Sequence, residues 1–232
     1  MNRIKDYDRL AFDIDRWLKD YYYMHSIKAF VVGVSGGIDS AVVSTLCAKT
    51  ELPTYVLTMP LHSKEGNTKL SDAHAKALMK KYSNVRVVNI DLSDTYESLL
   101  FNIDQDFVNN KLANANTKSR LRMVSLYQVA GSVGGIVVGT GNKVEDYGVG
   151  FYTKYGDGGV DIAPIADLYK TEVRELGWHL GVMNEIIDAP PTDGLWDDGR
   201  NDEDQIGATY AELEEAMENG TGKAVDILYK FN

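Results

Sequence analysis

The chain has 232 residues, of which 44% are hydrophobic and 25% are charged, a composition typical of a globular domain with its own core. Its formal net charge of −10 argues against nucleic-acid binding, because a polyanion requires a basic stripe and the Lys and Arg residues form none. No apolar run approaches the roughly 18 residues of a membrane span, and residues 1–20 lack a signal-peptide core, so we expect one soluble, cytoplasmic domain over residues 1–232.

Hydrophobic periodicity predicts alternating helices and strands from the N-terminus onward. Residues 4–23 have the spacing of an amphipathic helix, and residues 29–34 form a short β-branched run that a glycine turn and a second helix follow. Later segments repeat the order, with strands predicted at 54–59, 85–91 and 136–139 and helices at 70–82 and 119–132. The alternation indicates an α/β fold, a single-domain doubly wound parallel sheet with helices on both faces.

The last third of the chain is less regular. Residues 188–204 are acidic and contain proline and glycine, which predicts a long loop, and we expect residues 193–205 to act as a flexible lid. A helical pattern resumes at 211–219 and continues weakly at 223–232. The single cysteine, Cys47, lies in an apolar stretch, where a buried structural thiol is expected.

The glycine turn after the first strand has the composition of an anion-binding loop. Residues 35–40 read Ser-Gly-Gly-Ile-Asp-Ser, so two glycines allow a sharp turn and a close approach of the backbone to a ligand. The helix that follows adds unpaired N–H donors and the positive end of its dipole, and Ser40 adds a hydroxyl. Pyrophosphate is the natural occupant of such a turn.

The same turn contains a carboxylate, Asp39, and lacks both the Walker A lysine and the spacing of a dinucleotide fingerprint. A carboxylate repels phosphate unless a cation lies between them, so Mg²⁺ is expected. The alternative is an ordinary strand-to-helix turn in which Asp39 and Ser40 cap the helix.

The glycine turn and five other segments resemble a known family. Residues 35–40 resemble the signature of the N-type ATP pyrophosphatase, or PP-loop, family, whose fold is adenine nucleotide alpha hydrolase-like. The segments that resemble the NAD synthetases within that family are 138–145, 151–165, 116–123 as a helix-start motif, 191–196 and 202–207.

This resemblance implies ATP-dependent amidation of deamido-NAD to NAD with ammonia, through an acyl-adenylate and with release of AMP and pyrophosphate. The residues it assigns to ATP are Gly33, Val34, Ser35, Gly36, Gly37, Ile38, Asp39, Ser40, Thr140, Lys170 and Thr192. It assigns Mg²⁺ to Asp39 and Glu145, and deamido-NAD to Arg120, Lys154 and Asp161. Asp157, Lys170 and Thr192 are the catalytic candidates, with Asp157 as the group that deprotonates ammonium.

The resemblance also implies a homodimer, with residues 99–107 and 123–133 as the candidate contact. The expected nitrogen source is free ammonia, or ammonia delivered by another protein, because 232 residues leave no room for an amidase domain. The sequence departs from the family pattern in two places. One extra residue lies between Glu145 and Lys154, so we expect Glu145 to be displaced, and the chain ends at Lys230-Phe231-Asn232 without the family's His-Lys pair, so we expect a truncated tail.

Two rival functions stay open at this point. Another PP-loop ligase or a tRNA-modifying thiolase would share residues 35–40, although one cysteine and an acidic net charge disfavour both. A nucleotide-binding module without catalysis is the rival from a different class. The four histidines, His25, His62, His74 and His179, show no metal-ligand spacing and are expected to be structural.

Overall fold

The computed structural model describes residues 3–62, 65–191 and 201–231. The strands are β1 Phe30–Val34, β2 Thr54–Thr58, β3 Val85–Asn89 and β4 Ile136–Val137. The helices are α1 Tyr7–Met24, α2 Ile38–Lys49, α3 Glu65–Lys81, α4 Ser93–Phe101, α5 Lys111–Val133, α6 Lys170–Leu180, α7 Asn184–Ile187, α8 Asp202–Ile206, α9 Tyr210–Asn219 and α10 Val225–Phe231, with a π-helix at Val144–Val149.

The strands form one parallel sheet in the order β3-β2-β1-β4. Phe30 of β1 lies opposite Thr54 on one side and Ile136 on the other. The chain builds outward from β1 to β3 and then returns to the other side of β1 to form β4. The direction of winding therefore reverses between β1 and β4, and in open α/β sheets ligands bind at the carboxyl ends of the two strands that flank such a reversal.

Helices cover both faces of the sheet, which confirms the predicted doubly wound fold. On one face α1, α2 and α6 bury Leu18, Leu46 and Leu176 completely. On the other face α4 and α5 pack over Val31 and Leu57. Burial of each large aliphatic side chain contributes about 1.5–3 kcal/mol, so this core holds the loops at the sheet edge in place.

A third apolar cluster joins the C-terminal helices to the edge of the sheet. Leu213 of α9 and Val144 of the π-helix are fully buried in it, together with Ile206 and Tyr210. Because this cluster packs on the π-helix, residues that follow position 201 are brought next to the loop after β4.

The structure corrects two sequence-based boundaries. Residues 116–123 do not start a helix, because α5 begins at Lys111, where the Asn110 side chain caps it by accepting a hydrogen bond from Ala113 N. The predicted loop at 188–204 ends earlier than expected, because Asn201 and Asp204 form a reciprocal capping box that starts α8. Short helices α4 and α7 were missed.

Two further expectations concern the remaining segments. Thr192 and residues 193–200 of the expected lid lie outside the described residues, so the lid role stays a prediction. None of the helices in the described part of the chain combines the length and apolar character that crossing a bilayer requires.

Candidate active site

A cleft of about 400 Å³ opens at the carboxyl ends of β1 and β4, where the winding of the sheet reverses. The glycine loop forms one wall, and the residues that follow β4, including Thr140, form another. The other segments that contribute to the lining are α3, α5, residues 59–60, the π-helix, residues 150–160, the first turns of α6, residues 189–191 and α8. The sheet topology alone therefore places the predicted phosphate loop and the predicted ATP residue Thr140 in one cavity.

The glycine loop is braced by its own serines. Gly36 has φ 90°, a conformation that favours glycine. Gly37 N donates to Ser35 Oγ at 3.2 Å, Ser35 N donates to Ser40 Oγ at 3.2 Å, and Ser40 Oγ donates to Gly37 O at 3.0 Å. Ser40 therefore holds the loop in shape.

The donors of the predicted anion cradle lie at the start of α2. Its N-cap is Gly37, with no side-chain capping bond, so the alternative interpretation with Asp39 and Ser40 as caps is not what the structure shows. The first turn of any α-helix has N–H groups without intrahelical acceptors. Together with the dipole of α2, these N–H groups make the helix start the anion-binding part of the loop.

Lys170 joins the two acids that were predicted to bind metal. Its Nζ donates to Asp39 Oδ2 at 2.5 Å and to Glu145 Oε1 at 2.9 Å. The Lys170 side chain is 5% exposed, and those of Asp39 and Glu145 are 16% and 15% exposed. Burial alone would lower the pKa of Lys170, but the two carboxylates outweigh burial and raise the pKa above its usual value. The site thus contains a built-in cation.

Two further side chains hold these acids in position. Asn142 is fully buried, and its Nδ2 donates to Asp39 Oδ1 at 3.2 Å while its Oδ1 accepts from Glu145 N at 3.2 Å. Tyr210 OH donates to Glu145 Oε1 at 2.6 Å. The sequence analysis did not assign Tyr210, because it lies 65 residues beyond Glu145 and no local pattern links the two.

The segment between Glu145 and Lys154, where the family resemblance predicts one extra residue, overlaps the π-helix at Val144–Val149. A single added residue widens an α-helical turn into a π-turn, and such turns are frequent at functional sites. Glu145 faces Asp39 across Lys170 and lines the cleft.

Asp146, the next residue of the π-helix, lies over Gly141. A Cβ atom built on Gly141 would overlap the Asp146 carboxylate, so a larger residue here would displace that side chain. Burial is the main cause that raises the pKa of Asp146 to about 7, and the charges of Glu145, Asp157 and Asp39 add to it.

Asp157 lies in the cleft lining with a fixed orientation. Its Oδ1 accepts hydrogen bonds from Ser119 Oγ at 2.7 Å and from Thr153 N at 3.0 Å. Asp157 N in turn donates to Ser119 Oγ at 2.9 Å. A carboxylate that is held this way can present its second oxygen to a ligand.

The three residues predicted to bind deamido-NAD do not line this cleft. Arg120 Nε donates to the backbone carbonyl of Lys154 at 3.1 Å, and both residues are exposed. Asp161 accepts hydrogen bonds from Val137 N at 2.7 Å and from Tyr127 OH at 3.1 Å, which fixes it to the end of β4. Arg120 and Lys154 are thus brought together, and the deamido-NAD role of all three stays a prediction.

Comparison with known proteins agrees with this geometry. Residues 10–229 match the family model described as NAD synthase. The chain belongs to the NAD synthase family. Among curated relatives, the NH(3)-dependent NAD(+) synthetase of Finegoldia magna is 37% identical over 227 residues, which cover 97% of this chain and 90% of the relative.

Solved structures show the same family fold. The NMN synthetase from Francisella tularensis superposes with a TM-score of 0.90 at 32% identity, covering 98% of this chain and 93% of that chain. The NH3-dependent NAD synthetase from Campylobacter jejuni, determined with a nitrate ion, has a TM-score of 0.77 at 23% identity, covering 97% and 93%, and this similarity concerns the fold. The predicted family and the PP-loop fold are thereby confirmed, and the chain is a ligase that forms C–N bonds with ATP as co-substrate.

In this NAD synthase chain, the donor set suits a magnesium ion that arrives with a nucleotide. Within residues 3–62, 65–191 and 201–231, no group of three or more His, Cys, Asp or Glu side chains could hold a metal ion. Mg²⁺ commonly binds through one or two carboxylates plus substrate phosphates and water. Asp39 and Glu145 fit that pattern, with the glycine loop beside them to hold the phosphates.

The Cys47 thiol and the His74 imidazole both lie in the protein core. Cys47 is completely buried, and burial raises the pKa of its thiol to about 12, as expected for a structural cysteine. His74 Nε2 lies 2.9 Å from Ser44 Oγ in the core, and burial lowers the pKa of His74 to about 4. Neither group faces the cleft.

Proposed function

We propose that this chain converts deamido-NAD to NAD with ATP and ammonia. The observation that supports this most directly is the meeting of Asp39, Glu145 and Lys170 beside the glycine loop, at the point where the sheet winding reverses. The name of the Finegoldia relative, an NH(3)-dependent NAD(+) synthetase, gives the same reaction.

In the first step the nicotinate carboxylate attacks the α-phosphorus of ATP, and pyrophosphate leaves. The N–H groups at the start of α2 and the ammonium of Lys170 stabilise the departing charge, so positioning and electrostatics supply most of the catalysis. When bound through Asp39 and Glu145, Mg²⁺ supplies further positive charge to the phosphate oxygens.

In the second step ammonia attacks the acyl carbon and AMP leaves. Ammonium is protonated at neutral pH, so a base must accept a proton. Ser119 and Thr153 both bind Asp157 Oδ1, and we assign the proton to its second oxygen, Oδ2. Asp157 lines the same cleft as the glycine loop, which supports this role.

We extend the proposal to a cytoplasmic homodimer without a nucleic-acid or membrane partner. Phe101 is 84% exposed and Phe107 is 71% exposed, in the segment predicted to form part of the contact. Val124, in the second predicted segment, is 56% exposed. Large apolar side chains at such exposure support a protein contact at 99–107 and 123–133.

The test is an assay of the purified protein with ATP, Mg²⁺ and deamido-NAD, in which AMP and NAD are followed. We expect NAD with ammonium and none with glutamine as the sole nitrogen source. Asp39→Asn is expected to abolish AMP formation while circular dichroism shows a retained fold. Full activity of this variant would remove the metal assignment, and ATP binding without pyrophosphate release would favour a nucleotide-binding module.

A second candidate substrate is nicotinic acid mononucleotide. The Francisella protein with a TM-score of 0.90 is described as an NMN synthetase, and it resembles this chain more closely than the Campylobacter NAD synthetase with 0.77. The two substrates share the nicotinate carboxylate that is adenylated, so the same cleft suits both. Measuring kcat/KM for both nucleotides decides between them, and a larger value for the mononucleotide would replace deamido-NAD as the substrate.

A further inference from the structure

Arg174 lines the cleft with no interaction partner among the described residues. Its Nε is buried and makes no hydrogen bond there, and the guanidinium forms no ion pair with a described carboxylate. A buried donor without an acceptor costs free energy, so native proteins rarely retain one unless it has a function. An arginine in this state indicates that the acceptor is a ligand.

The charges of the cleft make Arg174 distinctive. The described carboxylates in its lining belong to Asp39, Glu145, Asp146, Asp157 and Asp202, and the described cations are Arg122, Lys170 and Arg174. Lys170 is shared between two carboxylates, and Arg122 donates through Nε to the carbonyl of Met59 at the end of β2. ATP carries several negative charges into this acidic cleft, and Arg174 offers a guanidinium that no described carboxylate neutralises.

Arg174 lies on α6 beside the glycine loop. Arg174 follows Lys170 by four residues on α6, so both side chains lie on the same face of the helix. Further along α6, Gly177 packs so closely on Ile38 that an added Cβ would lie 2.8 Å from Ile38 Cδ1. Lys170 contacts Asp39 and Gly177 contacts Ile38, so the stretch between them crosses the start of α2.

We propose that Arg174 binds the pyrophosphate part of ATP, the β- and γ-phosphates that leave when the substrate is adenylated. This rests on the proposed function, because it names a further binding residue for the same reaction. A guanidinium matches two phosphate oxygens at once and keeps its charge when buried. The start of α2 supplies N–H donors from one side, and Arg174 supplies a fixed cation from α6.

Pyrophosphate itself is the probe. Isothermal titration with pyrophosphate in the presence of Mg²⁺ compares the full-length wild type with Arg174→Met, which keeps a long apolar stem, and with Arg174→Lys, which keeps the charge. Arg16→Met is the matched control, because Arg16 is 71% exposed on α1 and pairs only with its helix neighbour Asp20 among the described residues. AMP is titrated in parallel, since it lacks the β- and γ-phosphates.

We expect Arg174→Met to bind pyrophosphate roughly tenfold to a hundredfold more weakly than wild type, because hydrogen bonds to a charged group are lost. AMP affinity should stay unchanged, Arg174→Lys should recover part of the affinity, and Arg16→Met should match wild type. Melting temperatures show whether each variant is folded, and the Lys variant serves for the comparison if the Met variant is not.

Two results would overturn the inference: pyrophosphate affinity that is unchanged in Arg174→Met, or AMP and pyrophosphate affinities that fall together, as a structural disturbance predicts. A failure of this inference can be distinguished from a failure of the proposed function. A wild type that makes NAD beside an Arg174→Met variant with unchanged pyrophosphate binding refutes only the role of Arg174. A wild type that makes neither NAD nor its mononucleotide counterpart, while binding pyrophosphate in an Arg174-dependent way, refutes only the amidation.

Discussion

Replacing Lys170 by Met should destabilise the metal-free protein strongly. The substitution keeps a long apolar side chain but removes the ammonium that contacts Asp39 and Glu145. The two carboxylates, only 16% and 15% exposed, would then face each other without a cation. Breaking a buried ion pair costs about 3–5 kcal/mol. Because the two carboxylates keep some solvent exposure, we expect Lys170→Met to lower the free energy of unfolding by about 3 kcal/mol.

The assay is urea unfolding at pH 7 with EDTA. A matched control is Lys19→Met, which breaks the pair Lys19–Asp15, whose side chains are 38% and 18% exposed, and should cost less than about 1 kcal/mol. The double variant Lys170→Met/Asp39→Asn removes one of the repelling charges and should regain a measurable part of the lost stability. Added Mg²⁺ should stabilise Lys170→Met more than wild type, because the ion replaces the missing cation.

The reasoning would be refuted by a Lys170→Met protein that is no less stable than Lys19→Met. It would be refuted equally by a double variant that is as unstable as the single one. Either outcome would mean that the stability of the cleft does not depend on neutralising these two carboxylates.

Three further predictions test other parts of the structure. Tyr210→Phe removes the hydroxyl that donates to the buried carboxylate of Glu145, so we expect a several-fold higher Mg²⁺ requirement in the NAD assay and a melting temperature lowered by a few degrees, and an unaltered Mg²⁺ titration would contradict this. The pKa of His74 is about 4 when folded against 6.5 otherwise, so native His74 binds fewer protons and wild type should lose about 2 kcal/mol between pH 7 and pH 5. Urea titrations of His74→Gln should show a smaller loss of stability between pH 7 and pH 5 than wild type. An equal loss would show that His74 is not the group responsible. Gly141→Ala should lower activity several-fold, because its methyl group displaces the Asp146 carboxylate in the cleft lining; wild-type kcat/KM would show that the overlap is relieved without consequence.

Local sequence determined the elements that depend on neighbouring residues. The β1 strand, the glycine turn and α2 follow from an apolar β-branched run, two glycines and a helical pattern in immediate succession. The alternation of such units predicted the parallel sheet, and hence that the loops after β1 and β4 meet at one edge. The π-helix at Val144–Val149 could not be predicted, because no local pattern in the sequence distinguishes it from an α-helix or a loop.

Only the tertiary structure decided which distant side chains meet. Lys170 lies between two acids that are 131 and 25 residues away, and Tyr210 reaches Glu145 from a C-terminal helix. Arg174 has no motif, and its position in the cleft results from the packing of α6 on α2. Periodicity and turn chemistry operate over a few residues, whereas these contacts depend on how whole helices pack on the sheet and how far each side chain extends.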